Sequence, residues 1–158
     1  MQTRSRMNWE ARNKKENESA VSIEKNSQIV LDAFKAIERR DDETFRALLH
    51  SEFQIHWPPS LPYGGSKART WSETWEPFQP GERERRMDPR VVAVSEDEGV
   101  VLWRQRGVSL SGEQFEGEVL GLYQVREGKL ARAQMFYFDT AAVARFLARS
   151  MEQSGGDS

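Results

Sequence analysis

The chain has 158 residues, with 23 Lys and Arg against 25 Asp and Glu and a formal net charge of −2. That length suits one domain with one core, and the near-neutral balance rules out a strong electrostatic case for a nucleic-acid partner, which needs a basic face. The absence of cysteine excludes disulfides, thiol nucleophiles and thiolate metal sites, and two histidines, His50 and His56, leave little for a histidine metal centre. The excess is aromatic, with five Trp, eight Phe and three Tyr; large rings bury much area each and also line pockets.

No stretch reaches the roughly 20 apolar residues of a spanning helix, and the N-terminus shows no apolar run of export-signal length. A soluble, cytoplasmic protein without a membrane partner is expected. Residues 1–24 are polar and weakly basic, so composition predicts a flexible tail with Trp9 as its one anchor; Met7 is an alternative start. Residues 150–158 read as a second, disordered tail, which leaves 25–149 as a single domain.

Ile29, Ala33, Phe34 and Ile37 recur at helical spacing, with Asn26 or Ser27 as the cap. A second helix starts at Asp41 or Asp42 and turns Phe45, Leu48 and Leu49 to one face. Phe53, Ile55 and Trp57 then alternate with Gln54 and His56, a short strand ended by Pro58 and Pro59. A turn follows over residues 60–65, with Gly64 and Gly65 expected at positive φ. Trp71, Trp75 and Phe78 sit at i, i+4 and i+7, the pattern of a third helix stopped by Pro77 and Pro80. From residue 89 the pattern becomes that of four strands, with turns in which glycine is flanked by acidic residues. A last helix begins at an Asp139 or Thr140 cap, with Val143, Phe146 and Leu147 on its apolar face. Helices before an antiparallel meander define an α+β domain.

This order, together with Arg39 to His50, Ile55 to Gly65 and Glu127 to Asp139, resembles the nuclear transport factor 2-like superfamily and within it the SnoaL-like group. The resemblance spans roughly residues 26–148. It implies a cone-shaped, curved antiparallel sheet wrapped around the N-terminal helices, enclosing a deep pocket. It also implies a homodimer through the outer sheet face. The superfamily includes ketosteroid isomerases, polyketide cyclases, dehydratases and epoxide hydrolases beside non-catalytic binding modules, so the fold alone does not name a reaction.

The residues depart from the familiar chemistries. Where the isomerases carry a carboxylate base before a proline, this chain has Trp57 before Pro58. The isomerases' neutral acid falls near Gly121, and their tyrosine at Ala33 or Phe34. The His-Trp-Asp-like run of the cyclases corresponds to Ala133, Gln134 and Met135, and the two acids and arginine of the epoxide hydrolases have no evident counterpart.

Strand parity assigns the remaining residues. The apolar odd positions from Phe115 to Val125 face inward, which turns Glu116 and Glu118 outward. Trp103 with Gln105 is favoured inward over Arg104 with Arg106, because an unpaired buried guanidinium is costly. The resemblance places Ala133, Met135 and Tyr137 in the pocket. The expected site is therefore an aromatic pocket for a small apolar molecule, bounded by Trp57, Tyr63, Trp71, Trp75, Trp103, Phe115 and Met135. Gly117, Gly121, Ala131 and Ala133 opposite the rings suggest unfilled space. His56 is the candidate base near neutral pH, and Tyr123 and Tyr137 are candidate donors to an oxyanion. No metal and no cofactor are expected. Two functions fit: a SnoaL-like enzyme performing a metal-free isomerisation, cyclisation or dehydration on a cyclic or polyketide-like substrate, or a ligand-binding or dimeric assembly module without catalysis.

Overall fold

A computed structural model describes residues 3–64 and 70–155 of the chain, with side chains from residue 6 onward. Helix α1 spans Thr3–Glu38, α2 Asp42–Ala47, α3 Trp71–Trp75, α4 Glu82–Arg85 and α5 Thr140–Ser154. The strands are β1 (Leu49–His56), β2 (Arg90–Val94), β3 (Glu98–Val108), β4 (Gln114–Arg126) and β5 (Lys129–Tyr137). They form one curved, unclosed sheet in the order β1-β5-β4-β3-β2. The α+β class is as expected. The sheet, however, is mixed: β2 to β5 form an antiparallel meander, whereas β1 runs parallel to β5, pairing Ile55 with Ala133.

Helix α1 begins at Thr3 rather than at Asn26 or Ser27, so residues 3–24, which composition assigned to a tail, are helical. The segment holds neither Gly nor Pro, and nine of residues 3–24 are Arg, Lys or Glu, which favour helix. The i, i+4 pairs Arg6–Glu10 and Lys14–Glu18 add support. Asn26 and Ser19 reach the β2–β3 turn by hydrogen bonds to Glu96. The helix closes in a Schellman motif. Arg40 takes φ +56°, its N–H donates to Ile37 O, and the Asp41 N–H donates back to Ala36 O. Asp41 then caps α2 by accepting from Thr44 N at 3.0 Å, and Asp139 caps α5 by accepting from Ala142 N at 2.9 Å. Helix α5 continues through Ser154, past the expected boundary at 149.

Inward and outward faces follow the expected parity. On β3, Val101, Trp103, Gln105 and Gly107 are buried while Arg104 is exposed; on β4, Val119, Gly121, Tyr123 and Val125 are buried while Glu116 and Glu118 are exposed. The outward charges pair with one another: Arg104 with Glu116 at 2.7 Å, and Arg106 with Asp88 at 2.9 Å. The concave face receives α1 through Val30, Ala33 and Phe34, forming one core cluster with Trp103, Val119, Tyr123, Ala133 and Met135. A second cluster, built from Leu61, Tyr63, Trp75, Phe78, Val143, Phe146 and Leu147, closes one end of the sheet beneath α5.

The glycines act differently from the expectation. Gly64 does not adopt positive φ; it lies so close to the preceding backbone that an added Cβ would stand 2.2 Å from Pro58 O. Gly65 lies outside the described residues. Gly117 and Gly121 do not leave space either. Their missing side chains are replaced by the rings of Phe115 and Tyr123, two residues away on the same strand. Gly64→Ala is expected to cost about 1–3 kcal/mol through this backbone collision, read as a lower urea midpoint at unchanged slope.

Candidate functional site

The concave face is not filled. A cavity of about 540 Å³ opens between α1, the β1 end, α3 and the inner faces of β3, β4 and β5. Its apolar wall is set by Phe34, Phe45, Phe53, Trp57, Trp71, Met87, Trp103, Tyr123, Leu130, Ala133 and Met135. The rings are held against one another. Trp57 stacks on Trp71 with centroids 5.6 Å apart and planes 2° from parallel. Trp71 meets Trp103 edge-on at 6.3 Å, and Phe34 packs edge-on against both Trp103 (6.0 Å) and Tyr123 (5.8 Å). Helix α3 is anchored at its start by a capping box in which Thr70 and Glu73 bond each other's backbone. The Trp71 indole donates to Oε1 of the fully buried Gln105 at 3.0 Å, which fixes that ring.

The opposite part of the lining is polar: Arg40, Asp42, Thr70, Ser72, Glu73, Glu76, Gln79 and Arg85. Asp42, Glu73 and Glu76 are all solvent-exposed residues, so the carboxylates stand at the mouth. Tyr123 is the ionisable group of the deep wall. Burial holds its phenol protonated far above the ordinary tyrosine range, and its hydroxyl finds only the Met135 sulfur, at 3.8 Å. It is a hydrogen-bond donor, not a base.

The structure brings Trp57, Trp71, Trp103, Tyr123 and Met135 together around this space. It places Tyr63, Trp75 and Phe115 in the second cluster beneath α5, and Tyr137 between the two clusters, its ring 6.5 Å from that of Trp57. There the Tyr63 and Tyr137 hydroxyls share a 2.8 Å hydrogen bond, and the Trp75 indole donates to the Tyr63 oxygen at 3.3 Å. Trp75 also stacks on Phe146. The division arises at α3, which is only five residues long, with the three residues from Glu76 to Phe78 continuing as a 3-10 turn. It straddles the two clusters: Trp71 packs against both and lines the cavity, whereas Trp75 is buried in the second. His56 is exposed at the end of β1, and strand alternation turns it away from the cavity wall that Phe53, Ile55 and Trp57 build. Among the described residues, no three His, Cys, Asp or Glu side chains come together as a metal site.

The polar half of the lining carries little signal in the sequence. Glu73 was legible as the third residue of the Thr70 capping box. Arg40 was not, because its route into the cavity depends on a left-handed backbone that nothing in its neighbours announces.

A family model for the SnoaL-like domain matches residues 30–133. Several solved structures share the fold. TerC, co-crystallised with polyporic acid, is 20% identical with a TM-score of 0.65, over 78% of this chain and 98% of its own. Bal32a, from a soil-derived mobile gene cassette, is 15% identical with a TM-score of 0.65, over 80% and 98%. An NTF2-like protein of unknown function from Burkholderia pseudomallei is 21% identical with a TM-score of 0.60, over 78% and 97%. At these identities the likeness is one of fold. No curated protein matches the chain significantly. The curved sheet packed on N-terminal helices defines an NTF2-like α+β protein, and the chain belongs to the SnoaL-like family. Among the described residues, no helix is long and apolar enough to cross a membrane.

The chain's three tyrosines are Tyr63, Tyr123 and Tyr137, and burial raises all of them, Tyr63 to about 12. A raised folded-state value leaves stability intact below the unfolded tyrosine pKa of about 10 and removes it as pH rises beyond that. The folded protein is therefore expected to show no tyrosinate absorbance near pH 10. Stability should fall from about pH 10 upward, and the absorbance should grow in together with loss of near-ultraviolet circular dichroism.

Proposed function

We infer that this protein binds a flat, apolar, cyclic or polyketide-like small molecule in the aromatic cavity and, acting in the cytoplasm, catalyses its isomerisation, cyclisation or dehydration. The observation that carries the reading is the unfilled volume of about 540 Å³ walled by Phe34, Trp57, Trp71, Trp103, Tyr123 and Met135. Packed cores leave few voids larger than a water molecule, whereas this volume lies in the range of ligand pockets. The co-crystallisation of the similarly folded TerC with polyporic acid supports a small-molecule ligand.

Tyr123, held neutral, donates to a substrate carbonyl or to the oxyanion that develops from it. Proton transfer falls to the mouth carboxylates Asp42 and Glu76, because His56 stands outside and the Tyr137 hydroxyl is taken up by Tyr63. One observation favours the second reading, a binding module without catalysis: the deep wall carries neither carboxylate nor imidazole.

Titration with polycyclic aromatic compounds is expected to give saturable quenching of tryptophan fluorescence. Trp57→Ala, which removes one ring of the stacked pair, should weaken binding by roughly tenfold. No quenching across a broad panel would overturn the reading. Once a substrate is found, loss of turnover in Asp42→Asn or Glu76→Gln at unchanged affinity separates the enzyme from the binding module.

The outer sheet face supports a homodimer. Register aligns Leu102, Leu120 and Phe136 across three strands, Phe136 is half exposed, and Phe138 just beyond is 88% exposed. Such a stripe is an unusual cost for a monomer. Sedimentation should show a species of twice 18.2 kDa that Phe136→Asp dissociates; a wild-type monomer would remove the dimer.

A further inference from the structure

Among the polar side chains that line the cavity, Asp42, Thr70, Ser72, Glu73 and Glu76 are exposed, and Arg40 and Arg85 are partly so. Gln79 differs from all of them in being only 6% exposed. Its backbone is held in place. The residue closes the 3-10 turn Glu76–Phe78, its N–H donates to Glu76 O at 3.2 Å, and Pro80 after it narrows its backbone range. The side chain is held as well, with Nε2 donating to Arg106 O at 3.0 Å. A carbonyl only accepts, so the amide nitrogen must make this bond, and Oε1 is the free end.

No group among the described residues donates to that oxygen. It is not sealed off either. The side-chain atoms buried without a partner are Arg40 Nη2, Trp103 Nε1, Arg132 Nε and Ser150 Oγ; Gln79 Oε1, equally unbonded, keeps accessible surface. Because Gln79 lines the cavity, an occupant meets that surface. Gln105, the neighbouring inward amide, shows the contrast: it is fully buried, and its Oε1 is taken by the Trp71 indole.

Building on the small-molecule reading, we propose that Gln79 Oε1 is an acceptor subsite that selects a ring ligand bearing a hydroxyl, as a phenol or an enol. Tyr123 supplies a donor on the deep wall and Gln79 an acceptor, so the cavity offers both polarities to one flat ligand. A ligand that fills the cavity strips the amide oxygen of water. One with an O–H replaces the lost hydrogen bond; one without leaves a buried acceptor unpaired, and the site discriminates against it on that account.

The test uses 2-naphthol and 2-methoxynaphthalene as probes, by calorimetric titration of the full chain. The methyl ether keeps the rings and the oxygen and lacks the donor. Gln79→Met keeps the length of the side chain and removes the acceptor. It is expected to weaken 2-naphthol by roughly three- to tenfold while changing 2-methoxynaphthalene by less than twofold. Unchanged binding of 2-naphthol, or equal weakening of both probes, would overturn the acceptor role and leave the pocket reading standing. Failure of the wild type to bind either probe would overturn the pocket reading and the subsite with it. Should Gln79→Met fail to fold, carbon-13 resonances of the side-chain amide carbonyls in the wild-type protein decide the matter. The Gln79 signal should move downfield with 2-naphthol and not with 2-methoxynaphthalene; the same response to both overturns the proposal.

Discussion

The edge-on contact of Phe34 with both Trp103 and Tyr123 is the interaction on which the remaining geometry rests. It seats α1 in the concave face of the sheet and sets how far that helix stands from β3 and β4. With the helix held by one large ring, the sheet need not collapse onto it along its whole length, and space persists between Phe34, the β5 wall and α3. The same ring bridges two strands, so the wall of the cavity and the core that supports it are made of the same side chains. A stack of Trp57 on Trp71 closes the side left open by the chain crossing from β1 to α3.

The two aromatic clusters show how similar composition yields different outcomes. Beneath α5 the rings of Trp75, Phe78, Phe115 and Phe146 pack against one another, and the polar tips of Tyr63, Tyr137 and Trp75 satisfy one another in a short chain of hydrogen bonds. That cluster is closed, both sterically and in its hydrogen bonding. Around the cavity the rings meet without filling the volume, and donors are left over. The difference lies less in residue type than in whether a partner element arrives: α5 covers one end of the sheet, and nothing in the described chain covers the other.

Much of this arrangement was legible in the residues. Period-two alternation placed Trp103 and Tyr123 inward and Glu116 and Glu118 outward, because a one-residue shift would have buried Arg104, Arg106, Glu116 and Glu118; on the last strand it left both faces open, and the family resemblance placed Met135 inward. Helical spacing and strand alternation made α1 to α3 and the five strands legible, while the four-residue α4, in a segment that reads as a charged loop, was not. The parallel pairing of β1 with β5 was not, since a strand's own pattern does not record its neighbour's direction. Trp75 shares the face of Trp71 and the second cluster but not the cavity lining, because i, i+4 spacing reports a shared helix face and not which layer that face meets. The polar mouth was illegible for a different reason: Asp42, Glu76 and Arg85 come from three separate short elements and share no periodicity. Glycine was read as empty space, whereas at Gly117 and Gly121 it is a socket for a ring on its own strand.

The left-handed Arg40 at the end of α1 has a wider consequence. A side chain with a Cβ pays of order 1 kcal/mol to hold that backbone region, which glycine would hold without strain. Replacing Arg40 by glycine would therefore relax the helix terminus and at the same moment strip a cationic donor from the cavity. Backbone strain and the lining of the cavity pull this one position in opposite directions. Glycine would suit the backbone alone, at the loss of the guanidinium that lines the cavity.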